Sequence, residues 1–193
     1  ILWGANINQT RIPDAHYIQE AALNGTKVVS IAPDYNSTTT KADVWIHPKP
    51  GTDTALALGI AHTIIKEKLY NAAYIKEQTD MPFLVRTDNK RFLRESDMVE
   101  GGKDTKFYSY DLKTKKPVLN KGCWGEEPPT KPPIQPPFLG RNTLTFPKGY
   151  LELGELDPAL EGTFKVKTKD GKTVTVRPVF DIYKEKIMKG YTP

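Results

Sequence analysis

Sulfur is scarce in this sequence, with one cysteine, Cys123, and three methionines among 193 residues. A single thiol excludes an internal disulfide and any all-cysteine zinc or iron–sulfur site within the chain. Histidine is scarce too, and His16, His47 and His62 are too scattered to propose a metal site. None of them lies near Cys123, so that thiol reads as a loop residue and not as a nucleophile or ligand. Long apolar runs are also missing: nothing approaches the roughly 20 residues that cross a bilayer. No basic, apolar, small-residue leader pattern opens the chain either. It starts in the apolar run Ile1-Leu2-Trp3 and closes on Gly190-Tyr191-Thr192-Pro193, which reads as a segment of something longer, so the missing leader says nothing about compartment.

What is present is globular in composition, with 38% hydrophobic and 26% charged residues, and 16 prolines that call for long extended stretches. The length suits one domain with a less regular appendage. The net charge of +5 is uneven: residues 1–100 hold 11 basic and 12 acidic side chains, and residues 101–193 hold 17 and 11. The basic excess lacks interleaved stacking aromatics, so a solvated face or an acidic neighbouring subunit outranks nucleic acid, and no nucleic-acid partner is expected.

The pattern along the chain predicts an α/β fold, with a Rossmann-like parallel-sheet segment followed by an irregular Pro-rich region and a β-hairpin. Ile1 to Trp3 ends a strand, Gly4-Ala5-Asn6 is a loop, and Pro13 and Asp14 open a helix, Ala15 to Leu23, that Asn24-Gly25 stops. Lys27 to Ala32 is a β-branched run suited to a buried parallel strand, and Val44-Trp45-Ile46 is a second. Thr52 and Asp53 begin a helix whose apolar residues Ala55, Leu56, Ile60, Ile64 and Ile65 recur until about Leu69. Beyond it, Asn71 to Gln78 reads as a short helix and Phe83 to Arg94 as two brief extended pieces. Seven prolines between Pro117 and Pro137 exclude an interior helix or a central strand. The alternation of Thr163 to Val179 about Asp170-Gly171 predicts a hairpin with a type I′ turn, and Asp181 to Lys189 begins a helix. The expected division is 1–100 as a cofactor-binding region and 101–193 as Pro-rich loop, hairpin and helix start for partner or subunit contact.

Three loops at strand ends carry groups suited to a purine nucleotide. Gly4-Ala5-Asn6 lets backbone amides approach an anion, with the Asn6 side chain as a further donor. Asp34 stands where an open sheet places the carboxylate that accepts ribose hydroxyls. Asp53, after Pro50-Gly51-Thr52, could accept two parallel hydrogen bonds from the N1–H and exocyclic amine of guanine. Each has a plain structural reading as well: a turn at Gly4 and Asn6, an Asx turn at Asp34, a helix-start charge at Asp53.

The strings Trp3-Gly4-Ala5-Asn6, Thr10-Arg11-Ile12-Pro13-Asp14-Ala15-His16, Ile31-Ala32-Pro33-Asp34-Tyr35-Asn36 and Pro50-Gly51-Thr52-Asp53-Thr54-Ala55-Leu56 resemble the second α/β region of the molybdopterin oxidoreductase (dimethyl sulfoxide reductase) superfamily. With Asp80 to Arg86 and Phe92-Leu93-Arg94-Glu95, they are similar to the nitrate reductase and nitrite oxidoreductase alpha-subunit branch. Chlorate, perchlorate and selenate reductases and ethylbenzene dehydrogenase are in that branch too. The resemblance is strong over residues 1–100 and weaker after. It implies a bis(molybdopterin guanine dinucleotide) cofactor with molybdenum. Gly4, Asn6 and Thr10 would lie near the diphosphate or pterin, Asp34 near the ribose, and Gly51, Thr52 and Asp53 around the guanine.

The same resemblance implies partners: the rest of the alpha subunit, an iron–sulfur beta subunit and a haem-containing gamma subunit, with a 4Fe-4S cluster elsewhere in the parent subunit and the catalytic metal ligands outside this chain. Nitrate and nitrite are the substrates expected, and a periplasmic or other extracytoplasmic compartment is favoured by family alone. Arg11, His16 and Arg86 are candidates to face the cofactor, with surface and packing roles equally open. Two other readings remain: a non-catalytic nucleotide-binding or interaction module, and the central domain of a thiamine-diphosphate enzyme, whose diphosphate–metal motif is absent here.

Overall fold

The computed structural model describes residues 1–121 and 151–191. Cys123 and the prolines from Pro128 to Pro137 lie outside them, so the Pro-rich loop is not described further. The chain forms two compact units, residues 1–63 and 64–192, and the boundary falls within a helix. Residues 64–100 thus belong with the second half of the chain.

The first unit is built on three short parallel strands, β1 (Leu2–Trp3), β2 (Val29–Ile31) and β3 (Val44–Ile46), in the order β1-β2-β3. Register partners share a face: Leu2, Ser30 and Trp45 on one, Trp3, Ile31 and Ile46 on the other. The β-branched run predicted to be buried is so, with Ile31 and Ser30 each 1% exposed. Ser30 is tolerated there because its hydroxyl pairs with that of Thr39 at 3.0 Å. Thr39 stands on a 3-10 turn, Thr39–Lys41, between β2 and β3.

Two helices separate β1 from β2. A single turn, α1 (Ile7–Thr10), falls where no helix is expected from the sequence, and α2 (Ile12–Leu23) starts three residues before the predicted Ala15, with Pro13 in its first turn. Proline fits there because its missing N–H would have no intrahelical partner. The stop at Asn24-Gly25 is a Schellman motif: Gly25 has φ +90°, and the amides of Gly25 and Thr26 donate to Ala22 O and Ala21 O. A pocket of about 320 Å³ lined by Leu2, Ala15, Ile18, Ala22 and Val28 places α2 over the Leu2–Ser30 face.

Helix α3 (Asp53–Lys66) follows β3. Its predicted apolar stripe is only partly covered: Ile65 is buried, but Ile60 and Ile64 are over one-third exposed, and the buried polar position is His62. The helix is apolar nearly all round, so spacing alone does not select the inward face. It ends before the expected Leu69 in a second Schellman pattern, with Leu69 N donating to Ile64 O and Lys68 N to Ile65 O. Lys68 takes the left-handed position at φ 56°.

In the second unit the short helix expected over Asn71 to Gln78 is present as α4 (Ala72–Gln78), with Asn71 as its cap: the Asn71 side chain accepts from the Tyr74 amide at 3.1 Å. The main sheet is antiparallel, β4 (Leu84–Arg86), β8 (Thr173–Pro178) and β7 (Phe164–Lys167), in the order β4-β8-β7. Leu84, Leu93, Val166, Val174, Val176 and Tyr108 form its core. Phe83, Phe92 and Phe107 pack as a triplet beside it, with ring centroids 5.4 to 6.0 Å apart. Helix α6 (Val179–Gly190) buries Phe180 and Ile187 and carries Arg177, just before it, in ion pairs with Asp181 and Glu185 at 2.7 and 2.8 Å.

The β7–β8 hairpin is present, but its turn is not type I′. Thr168 and Lys172 enclose the three residues Lys169, Asp170 and Gly171, and only Gly171 has positive φ, +74°. A type I′ turn needs both central residues at positive φ, whereas a type I turn closed by one left-handed glycine needs only Gly171. A hairpin not foreseen in the sequence pairs β5 (Tyr108–Asp111) with β6 (Lys116–Leu119), placing Pro117 in a strand that, among the described residues, pairs on one side only. Asp111, 2% exposed, replaces the usual turn glycine as organiser: its carboxylate accepts from the Thr114 hydroxyl and the amides of Thr114 and Asp157. Those donors, the Thr114 hydroxyl foremost, lower its pKa to about 2. A short helix, α5 (Glu95–Met98), is capped by Asp97, which accepts from the Arg94 amide and also pairs with Arg86 at 2.6 Å.

Candidate nucleotide-binding site

Parallel strands deliver their carboxyl ends to one edge of a sheet, and ligands of open α/β sheets bind outside that edge. Here the edge carries the loops that follow Trp3, Ile31 and Ile46, and every candidate binding residue except Thr10 lies in them or on the residue starting α3. Thr10 stands on α1, where its hydroxyl donates to Asn6 O at 2.8 Å.

The first two loops are laced together. Asn6 Oδ1 accepts from the hydroxyls of Ser37 and Thr38 at 2.9 and 3.0 Å, and its Nδ2 donates to Gln9 at 2.8 Å. Asn8 adds a bond from its side-chain amide to Ser37 O at 2.8 Å. Asn36 folds the far side as an Asx turn, accepting from the amides of Thr38 and Thr39. Gly4, at φ +62°, donates its amide to Ile31 O at 2.8 Å, which commits that N–H to the sheet. The amides of Ala5 and Asn6 make no hydrogen bond among the described residues.

The third loop turns at Gly51, φ +84°, where an added Cβ would meet nothing within 4 Å. Thr52 closes this turn by donating its amide and hydroxyl to Lys49 O, at 3.0 and 2.7 Å. Asp53 Oδ1 accepts the indole N–H of Trp3 at 2.7 Å. Asp34 is exposed and has no hydrogen-bond or ion-pair partner among the described residues. Aromatic rings stand beside these groups. Tyr35 meets Trp45 edge-on at 5.0 Å, His47 lies 5.2 Å from the same indole, and Trp45 Nε1 donates to Ala32 O at 2.9 Å.

Comparison with known proteins identifies the family of the chain. The family model described as molybdopterin oxidoreductase matches residues 1–179. The chain belongs to the molybdopterin oxidoreductase family. It is 64% identical over its whole length to the perchlorate reductase subunit alpha of Dechloromonas aromatica strain RCB, covering 21% of that protein. It is 46% identical over 81% of its length to the dimethylsulfide dehydrogenase subunit alpha of Rhodovulum sulfidophilum, covering 15% of it. With the respiratory nitrate reductase subunit alpha of Haloferax mediterranei it shares 43% identity over 93% of its length, covering 17% of that protein. The chain thus spans about one-fifth of these relatives or less.

Within this molybdopterin oxidoreductase chain, the free acceptor sites of Asp34 and Asp53, the open Gly51 turn and the two amides of the first loop fit a nucleotide. The exposed rings add flat apolar surface of the kind a base covers: Trp3 is 37%, Trp45 40% and Tyr35 63% exposed. Asn6, Thr10 and Thr52 already use their side chains within the protein and so hold loop shape first. Arg86 lies in the other unit with its guanidinium taken by Asp88 and Asp97, which raise its pKa. His16 rests against the Tyr17 ring at 3.8 Å. The partners missed by sequence reasoning are Trp3, Ser37, Thr38 and Trp45. The hydroxyl run Ser37 to Thr40, in the loop that follows β2, is the one local signal for two of them.

Proposed function

We propose that this chain holds the guanine nucleotide of a bis(molybdopterin guanine dinucleotide) cofactor in the catalytic subunit of a molybdenum oxidoreductase. The observation that carries the reading is the edge of the parallel sheet. Two carboxylates, Asp34 and Asp53, stand there with acceptor sites unspent, one in the loop after β2 and one on the first residue of α3.

In this reading Asp53 accepts from the N1–H and exocyclic amine of guanine, a pattern that adenine cannot donate. Asp34 accepts from ribose hydroxyls, and the amides of Ala5 and Asn6 face the diphosphate. The Gly51 turn lets the base come close to the backbone. When bound, the cofactor supplies two-electron oxo transfer at molybdenum, and this chain's share is positioning and electrostatic tuning. The electron partners are an iron–sulfur beta subunit reached through a 4Fe-4S cluster of the parent subunit, and a haem-containing gamma subunit. An extracytoplasmic compartment belongs to the same reading.

The substrate is an oxyanion. Nitrate or nitrite is one candidate, and the 64% identity to a perchlorate reductase alpha subunit supports chlorine oxyanions beside it. The test is made on the full-length natural protein. Elemental analysis should find molybdenum, acid hydrolysis should release guanine nucleotide, and a reduced dye should be oxidised by perchlorate, chlorate or nitrate. Pure native protein with neither molybdenum nor guanine nucleotide would return the chain to a non-catalytic module.

A further inference from the structure

We infer that Trp3 is a positioning residue for guanine recognition, acting through Asp53. The inference rests on the reading that Asp53 faces the base, and extends it to the residue whose indole N–H is hydrogen-bonded to that carboxylate. The indole N–H is a single donor with no acceptor function, so at 2.7 Å from Oδ1 it does one thing: it fixes the rotation of the carboxylate.

A carboxylate has about four acceptor sites on its two oxygens. One is used by Trp3, which leaves Oδ2 and the second lone pair of Oδ1 for a ligand with two parallel donors. Because Trp3 ends β1 and Asp53 starts α3, the bond references the carboxylate to the sheet and not to a free loop. Asp53 is exposed. Without the indole it would sample its rotamers, and the ordering would fall on the moment of binding.

The test uses the full-length natural protein and follows the loss of guanine nucleotide, quantified after acid hydrolysis, during dialysis in dilute urea. Trp3→Phe keeps a ring but removes the donor, and should speed the loss about two- to tenfold, the range for immobilising one side chain in advance. In an Asp53→Ala background the same change should add nothing. Trp3→His, which retains a ring N–H, should recover part of the retention. Equal effects of Trp3→Phe in both backgrounds would show that Trp3 acts through packing alone and would overturn the inference. So would wild-type retention in Trp3→Phe when Asp53→Ala loses the nucleotide. Unchanged retention in Asp53→Ala would remove the Asp53 assignment and this inference with it. Absence of guanine nucleotide from the wild-type protein would instead overturn the proposed function.

Discussion

The indole of Trp3 donates to the carboxylate of Asp53 at 2.7 Å across fifty positions of sequence. This bond joins the last residue of the first strand to the first residue of the helix after the third. It therefore ties two of the three strand-end loops, and the Asn6–Ser37–Thr38 bonds tie the remaining one to the first. The three strand-end loops are thus joined to one another by side-chain hydrogen bonds.

That geometry separates the two carboxylates. Asp53→Asn loses one acceptor and brings a donor against the donors of guanine, whereas Asp34→Asn still offers a carbonyl oxygen to a ribose hydroxyl. Guanine-nucleotide content of the purified full-length variants should fall further for Asp53→Asn. Equal content in the two variants would refute the assignment of Asp53 to the base.

Lys68 closes α3 in the left-handed region at φ 56°, where a Cβ is crowded and glycine is not. It is exposed, so its side chain contributes little packing. Lys68→Gly is expected to stabilise the fold by about 0.5–1 kcal/mol after the larger chain entropy of glycine is subtracted. Denaturant unfolding should show a raised midpoint with an unchanged slope.

Leu84 is 0% exposed at the centre of the second unit's core, next to Val176 and Leu93. Leu84→Ala should cost about 2–5 kcal/mol, from lost transfer energy and the cavity left behind. Leu112, 46% exposed, is the control: its replacement by alanine should stay within about 0.5 kcal/mol.

Asp111 gives the second unit an acid limit. Its pKa is about 2 in the folded chain against an ordinary 3.8, so the folded state favours the ionised form. The stabilisation is complete above the ordinary value and is lost as pH falls through that window towards 2. Glu185, lowered to about 2 by Lys189 and Arg177, acts in the same direction but is more exposed and more screened. Unfolding midpoints across this range should fall steeply for the wild type and less steeply for Asp111→Asn. A parallel fall in both would assign the acid limit to other carboxylates.

The sequence by itself determined several of the local elements. A β-branched run becomes a buried strand and Asn24-Gly25 a helix stop, because each follows from a few adjacent residues and their backbone preferences. It also placed Gly4, Asn6, Asp34, Gly51, Thr52 and Asp53 at strand ends, since parallel strands joined by helices present all their carboxyl ends to one side. It did not reveal the β5–β6 hairpin, whose turn is made by the Asp111 side chain and by Lys115 at φ 56°, not by a glycine. Only the tertiary structure decided which of those strand-end groups are already spent. The Gly4 amide and the Asn6 side chain are committed within the protein, Asp34 is free of partners among the described residues, and Asp53 is held by Trp3. Hydrogen bonds between residues thirty to fifty positions apart leave no periodic trace, because they depend on where the sheet brings two loops and not on what either loop prefers alone.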